Sequence, residues 1–201
     1  MRIHVCSSNT GKLTDFKLAA AQIGGLDVTI EPLPDLNRIP APEETGSTFE
    51  GNAVGKALYY SRFTQETVLA DDSGLVVDAL NGAPGVHSAR YAGPDATDQE
   101  NNNLLLRDLA ATAHREARFV CVLALARQGK VLTTERGIVE GRVLLSPRGH
   151  NGFGYDPLFF YPPLNRSFGE LSNQEKFSVS HRGNAFRALC KKLRELEPAP
   201  K

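Results

Sequence analysis

The sequence predicts an α/β protein built on a mixed β-sheet, and three observations carry that prediction. Strand-like apolar runs alternate with segments of helical periodicity in the N-terminal third, the pattern of β–α units. Two long strand-patterned runs, 117–126 and 131–139, are then separated only by a tight Gln128-Gly129-Lys130 turn, the mark of an antiparallel hairpin. An amphipathic helix closes the chain, with Ala185, Leu189 and Leu193 on one face.

Taken in order, Arg2 to Ser7 reads as a short buried strand. The turn Asn9-Thr10-Gly11 leads to a helix from about Lys12 to Ile23, where Leu13, Phe16, Ala20 and Ile23 recur at helical spacing. Asp27 to Ile30 is a candidate second strand, and the proline-rich segment 32–42 a loop. Ser47 or Thr48 can cap a helix running to about Arg62, with Phe49, Ala53, Ala57 and Tyr60 inward. Val68 to Ala70 reads as a strand that ends at an acidic turn, Asp71-Asp72-Ser73-Gly74. Leu75 to Leu80 is apolar around Asp78, and a Gly/Pro-rich loop follows. Thr97-Asp-Gln-Glu100 is a capping box opening a helix to about Ala111, and Ser172-Asn-Gln-Glu175 is a second one. Pro157 to Tyr161 reads as a further strand, and the last helix runs from about Arg182 to Leu196.

The bulk properties narrow the function classes. The 201 residues suit a single domain, here 1–201, or two lobes sharing a core. Lys+Arg and Asp+Glu are both 23, so no global field favours nucleic acid or an anionic membrane, and neither is expected as a partner. Three cysteines without a CxxC spacing predict neither a disulfide framework nor a zinc site, and point to the reducing cytoplasm. The N-terminus has no long apolar h-region, so no signal peptide is expected. The longest apolar stretch, Phe119 to Ala126, is too short to span a bilayer. Any anion site must be local.

Several segments could build one. Ser7-Ser8-Asn9-Thr10-Gly11-Lys12 lies between a strand and a helix, where free N–H groups and the helix dipole suit a phosphate; the same residues suit an ordinary βα turn. The carboxylates of Glu43 and Glu44 gain meaning only if another acid faces them. Asp71 and Asp72 supply that acid, and adjacent strand residues point to opposite faces, so one can meet a metal while the other braces the turn. Lys56, on the helix opened near Ser47, reads as a solvated lysine without other context, and Asn52 is likewise ambiguous. Phe153 and Tyr155 among Gly152 and Gly154 could flank a planar base, with Asp156 accepting from a ring N–H; the alternative is a tight loop whose aromatics pack on the core. Lys176, His181 and Arg182 cluster where the chain enters the final helix, where basic groups oppose the dipole unless an anion is present.

The segments SSNTGK (7–12), EETGSTFEGNAVGKA (43–57), ADDSG (70–74), GAPGVHSARYAG (82–93), NGFGYDPLF (151–159), GELS (169–172) and EKFSVSHRGNA (175–185), in this order, resemble the inosine triphosphate pyrophosphatase family. The resemblance implies magnesium-dependent hydrolysis of non-standard purine nucleoside triphosphates (ITP, dITP, XTP) to monophosphate and pyrophosphate, which clears them from the nucleotide pool. It also implies a homodimer whose elongated mixed sheet has helices on both faces and two lobes flanking a nucleotide cleft. Carried over by position, Ser7, Ser8, Asn9, Thr10, Gly11 and Lys12 bind the triphosphate. Glu43 and Asp72 are metal ligands, and Asp72 is also the proton acceptor. Ser73 contacts substrate, Phe153, Gly154, Tyr155 and Asp156 hold the base, and Lys176, His181 and Arg182 complete the site. The family pattern of Glu immediately before the central-helix Asn is broken here, where Gly51 stands in that place and Glu50 precedes it.

Overall fold

The computed structural model describes residues 1–22 and 28–196. Twelve elements organise the described chain: β1 (Arg2–Val5), α1 (Thr10–Gln22), β2 (Thr29–Pro32), α2 (Phe49–Tyr60), β3 (Thr67–Val77), α3 (Asp98–Asp108), β4 (Glu116–Arg127), β5 (Lys130–Val143), β6 (Phe159–Tyr161), β7 (Arg166–Ser167), α4 (Asn173–Val179) and α5 (His181–Leu196). The expectations at Ile23 and Asp27 lie outside the described residues. The strands form one open sheet in the order β2-β1-β3-β4-β5-β6-β7. β1 runs parallel to β2 and β3, while β6 runs antiparallel to β5 and β7. The sheet is therefore mixed, as the sequence predicts.

Helix starts follow local chemistry. Thr48 caps α2 by accepting from the Gly51 amide at 3.0 Å. Both predicted capping boxes form, at Thr97–Glu100 for α3 and Ser172–Glu175 for α4. The hairpin between β4 and β5 turns through Gln128 and Gly129, both at positive φ, as a two-residue turn matched to strand twist requires.

The acidic segment differs from the sequence reading. It is not a turn: β3 runs unbroken from Thr67 to Val77 and carries Asp71, Asp72, Ser73 and Gly74 in its interior. Local turn chemistry favours a break there, but β3 continues through it as the neighbour of β4, while its register with β1 ends at Leu69. Strand β6 is shorter than predicted, and β7 was not anticipated at all.

The chain divides into two compact units: Met1–Asp72 with Cys121–Gly137 and His181–Lys201, and Ser73–Val120 with Ile138–Ser180. In the first unit, one buried cluster joins Val68 and Ala70 of β3, Ala53 and Ala57 of α2, and Ala124 and Ala126 of β4. These small side chains let α2 lie close to the sheet. In the second unit, Phe119, Phe159 and Phe168 pack ring against ring, with centroids 4.6 to 6.0 Å apart, among Leu75, Leu105, Leu109 and Leu158. Each such buried aromatic contributes about 2–3 kcal/mol.

Candidate active site

Strand β3 deals its two acids to two different helical layers. Side chains alternate along a strand, so Asp72 shares the face of Val68 and Ala70, toward α2. Its Oδ2 accepts from Asn52 Nδ2 at 3.0 Å and its Oδ1 lies 3.4 Å from Lys56 Nζ. Asn52 and Lys56 are four residues apart and so lie on the same face of α2. Asp71 points to the other face. There its Oδ2 meets Lys12 Nζ of α1 at 2.9 Å and Arg182 Nη2 of α5 at 3.5 Å. Arg182 is 1 % exposed, and its Nη1 donates to Asp15 Oδ2 on α1 at 2.6 Å. The start of α5 reaches this position because Gly137 of β5 lets backbone touch backbone: a Cβ there would lie 2.0 Å from the His181 carbonyl oxygen.

The phosphate-type turn sits beside this network. Asn9 Oδ1 accepts the Lys12 amide at 3.0 Å, and the Asn9 amide donates to Ser7 Oγ at 3.2 Å. Asn9 thereby caps α1, while the first-turn amides have no carbonyl one turn earlier to bond. Ser8, Asn9 and Thr10 are exposed, whereas Ser7, Gly11 and Lys12 are half-buried. A pocket of about 640 Å³ opens here, with Ser7, Asn9, Lys12, Leu36, Lys56 and Asp71 in its wall.

Of the two loop acids, Glu44 is the one that reaches the network. Lys56 Nζ lies 2.8 Å from Glu44 Oε1, while Glu43 is exposed. Glu50 accepts from Thr134 Oγ1 at 3.3 Å instead. The loop is tied to Asp72 through Asn52, whose Oδ1 accepts the Gly46 amide at 2.8 Å. A Cβ at position 46 would lie 2.5 Å from that oxygen. Gly46→Ala is therefore expected to push Asn52 off Asp72 and to lower turnover at least about tenfold. Steady-state kinetics on the purified variant check this.

The two acids titrate in opposite directions. Burial pushes the Asp72 carboxyl up; Lys56 and Asn52 oppose that without cancelling it. Burial pushes Asp71 up as well, but Lys12, Arg182 and Lys56 outweigh it and hold the carboxyl at about 2. Burial alone would lower Lys56, yet Asp71, Asp72 and Glu44 together raise it. For Asp71 the folded value lies below the unfolded value of about 3.9. Its contribution, on the order of 2 kcal/mol, is thus complete above pH 4 and lost as pH falls toward 2. Urea midpoints measured between pH 5 and pH 2 should show this fall, and Asp71→Asn should flatten it.

The second unit holds the aromatic loop. Asp156 Oδ2 accepts the Phe153 amide at 2.8 Å and pairs with the Lys176 ammonium, and both charged residues are nearly fully buried. Lys176 Nζ also lies 4.5 Å from the centre of the Phe153 ring. The Tyr155 hydroxyl donates to the Ser88 carbonyl at 2.8 Å, and its ring joins the core. Phe153 keeps a partly exposed ring. Ser73 is half-buried in β3.

The predicted residues thus fall into two groups. In the first unit, Lys12, Asp71 and Arg182 form one set of contacts and Lys56 and Asp72 a second on the other face of β3, with His181 buried at the start of α5. In the second, Phe153, Gly154, Tyr155, Asp156 and Lys176 share one loop and the helix behind it. Asn52, Glu44 and Asp15 were missed as members. Their spacing held a signal: Asn52 precedes Lys56 by four residues, and Asp15 follows Lys12 by three, so each shares a helix face with a recognised lysine.

These features define an open mixed-sheet α/β protein whose two adjacent acids are each paired with cations, Asp71 with Lys12 and Arg182 and Asp72 with Lys56. Comparison with known proteins makes the class specific. The chain belongs to the Ham1 family, whose model matches residues 3–192. It is 49% identical over 191 residues to a dITP/XTP pyrophosphatase of Exiguobacterium sibiricum, covering 94% of this chain and 95% of that protein. A dITP/XTP pyrophosphatase of Syntrophobacter fumaroxidans is 52% identical over 170 residues, covering 85% and 72%. The structure of a HAM1 protein from Coxiella burnetii superposes with a TM-score of 0.86 at 42% identity, covering 97% of this chain and 99% of that one.

Proposed function

We propose that this protein hydrolyses non-standard purine nucleoside triphosphates, of the dITP, ITP and XTP type, to the monophosphate and pyrophosphate. The observation that carries the reading is Asp72: a buried carboxylate of raised basicity, fixed by Asn52 and Lys56 in the unit that holds the phosphate-type turn. In the reaction a water oxygen bonds to the α-phosphorus, the bond to the bridging oxygen breaks, and pyrophosphate leaves. Asp72 accepts the water's proton. Lys12, Lys56 and the first-turn amides of α1 offset the charge that gathers on the departing phosphates. The relatives named as dITP/XTP pyrophosphatases support the substrate class.

Magnesium is the proposed ion. Among the described residues no group of three or more His, Cys, Asp or Glu forms a protein cage for a metal. Magnesium needs no cage, because it is held by one or two carboxylates and completes its shell with water and phosphate oxygens. Asp72 fits as one ligand. The Glu43–Glu44 pair fits as the second, with Glu44 already sharing Lys56 with Asp72. Once bound, the ion would supply Lewis-acid stabilisation of phosphate charge.

Base choice follows from hydrogen-bond matching. Donors aimed at a 6-oxo group face the amino group of adenine as a second donor, a buried mismatch worth about 10⁴-fold. We assign the base to the Phe153–Asp156 loop with Lys176 behind it. A rate panel over ITP, XTP, dITP, GTP and ATP, with and without magnesium and scoring pyrophosphate against phosphate, tests the whole reading. The expected result is pyrophosphate release, metal dependence, and kcat/KM higher for ITP and XTP than for GTP and ATP. Equal rates on all substrates, or release of single phosphates, would overturn it. A homodimer and a reducing compartment complete the proposal. Sedimentation tests the dimer, and free Cys6, Cys121 and Cys190 suit the compartment. No helix among the described residues is long and apolar enough to cross a membrane.

A further inference from the structure

We propose that Asp98 and Asn102 of α3 are positioning residues that set the geometry of the base-recognising loop, by gripping both polar groups of the Gly154 backbone. The Gly154 amide donates to Asp98 Oδ2 at 2.6 Å, and the Gly154 carbonyl accepts from Asn102 Nδ2 at 2.9 Å. The two side chains lie four residues apart, one turn along α3, so a single helix face holds both ends of one residue. The proposal rests on the reading of residues 153–156 as base-binding.

Three observations give the grip a purpose beyond packing. First, Gly154 sits in the left-handed region, at φ 61°, between Phe153 and Tyr155. Its backbone torsions therefore set the angle between the one partly exposed ring and the one anchored ring. Tyr155 is fixed by its bond to Ser88, and Phe153 is fixed from within by Asp156 and Lys176. Gly154 is the joint between them, and α3 locks it. Second, Asn102 is 6 % exposed and its Oδ1 is buried without a hydrogen-bond partner. The orientation of this amide is set by its bond to the Gly154 carbonyl, since a flipped amide would bring oxygen to oxygen. A leucine of similar size would avoid the unpaired acceptor. Asn102 therefore carries a cost that its donated bond to the loop offsets. Third, α3 is anchored to the loop that follows β3 independently of the grip. Asn101 Oδ1 accepts the Ala92 amide at 2.8 Å, and its Nδ2 donates to the Ala89 carbonyl at 3.2 Å. The clamp thus has a rigid mount.

The test compares Asp98→Ala, Asp98→Asn and Asn102→Leu for kcat and KM on dITP and dATP, alongside thermal stability. Asp98 stands in the first turn of α3, where its charge also favours the helix dipole. Both Asp98 substitutions lose that charge, but only Asn keeps an acceptor for the Gly154 amide. If positioning is the role, Asp98→Ala and Asn102→Leu raise KM for dITP roughly tenfold and lower the dITP-to-dATP selectivity by a similar factor, with kcat changed less than about threefold. Asp98→Asn then recovers most of both. Unchanged KM and selectivity in an active enzyme, or Asp98→Asn behaving as Asp98→Ala, would overturn the proposal alone. A wild type with no turnover of dITP would overturn the functional reading, and this proposal with it.

Discussion

Replacing Asp72 by Asn is expected to lower kcat about 10²–10⁴-fold while nucleotide affinity changes by no more than a few fold. The substitution keeps size and shape but removes the carboxylate that Asn52 and Lys56 hold in place to take a proton from water. Its effect on stability should be small or favourable. Burial already disfavours the Asp72 carboxylate, so a neutral amide relieves a desolvation cost even as it forfeits one hydrogen bond. The neighbouring substitution is expected to do the reverse. Asp71 is held ionised by Lys12 and Arg182, and Asp71→Asn leaves both cations short of a partner, so it should cost stability first. Two adjacent acids thus give opposite signatures. Binding measured by calorimetry, turnover measured by pyrophosphate release, and melting temperatures on the two variants resolve them. Near-normal turnover in Asp72→Asn would remove Asp72 as the base.

That contrast depends on something the sequence could only partly disclose. The alternation rule placed Asp71 and Asp72 on opposite faces whether the segment was a turn or a strand. It could not show that β3 continues to Val77, because Asp-Asp-Ser-Gly is locally a breaker and the continuation depends on the long-range neighbour β4. Elements specified by their own residues were legible. The capping boxes at Thr97 and Ser172 and the turn at Gln128-Gly129 act over three or four positions. Long-range partners were not. Arg182 and Asp15 are 167 residues apart, and no periodicity in either helix encodes their meeting. The choice of Glu44 over Glu43 at Lys56 was hidden for the same reason: two adjacent carboxylates in a loop are equivalent until the loop is fixed, here by Gly46 against Asn52.

The second large effect is expected at Arg182. The resemblance assigns it to the nucleotide, and its position adds a structural task. Arg182 is 1 % exposed and carries the positive charge between Asp15 and Asp71. Burial would weaken that charge, but Asp71 and Asp15 reverse the effect and raise the guanidinium well above its ordinary range. Arg182→Met keeps the bulk and removes the charge, so two buried carboxylates lose a partner. Breaking a buried pair from one side costs about 3–5 kcal/mol, which for a chain of this size lowers the melting temperature by roughly 10 °C. Asp15→Asn in the same molecule should restore part of the loss, because it removes one of the stranded charges, and a double-mutant cycle reads that coupling directly. Arg182→Lys should fall between, since an ammonium cannot span both acids as a planar fork does. Thermal melts of wild type, Arg182→Met, Asp15→Asn, the double variant and Arg182→Lys decide the matter. A melting temperature unchanged in Arg182→Met, with base selectivity lost, would make Arg182 a recognition group and leave the charge chain of Asp15, Arg182, Asp71 and Lys12 without the bracing role given to it here.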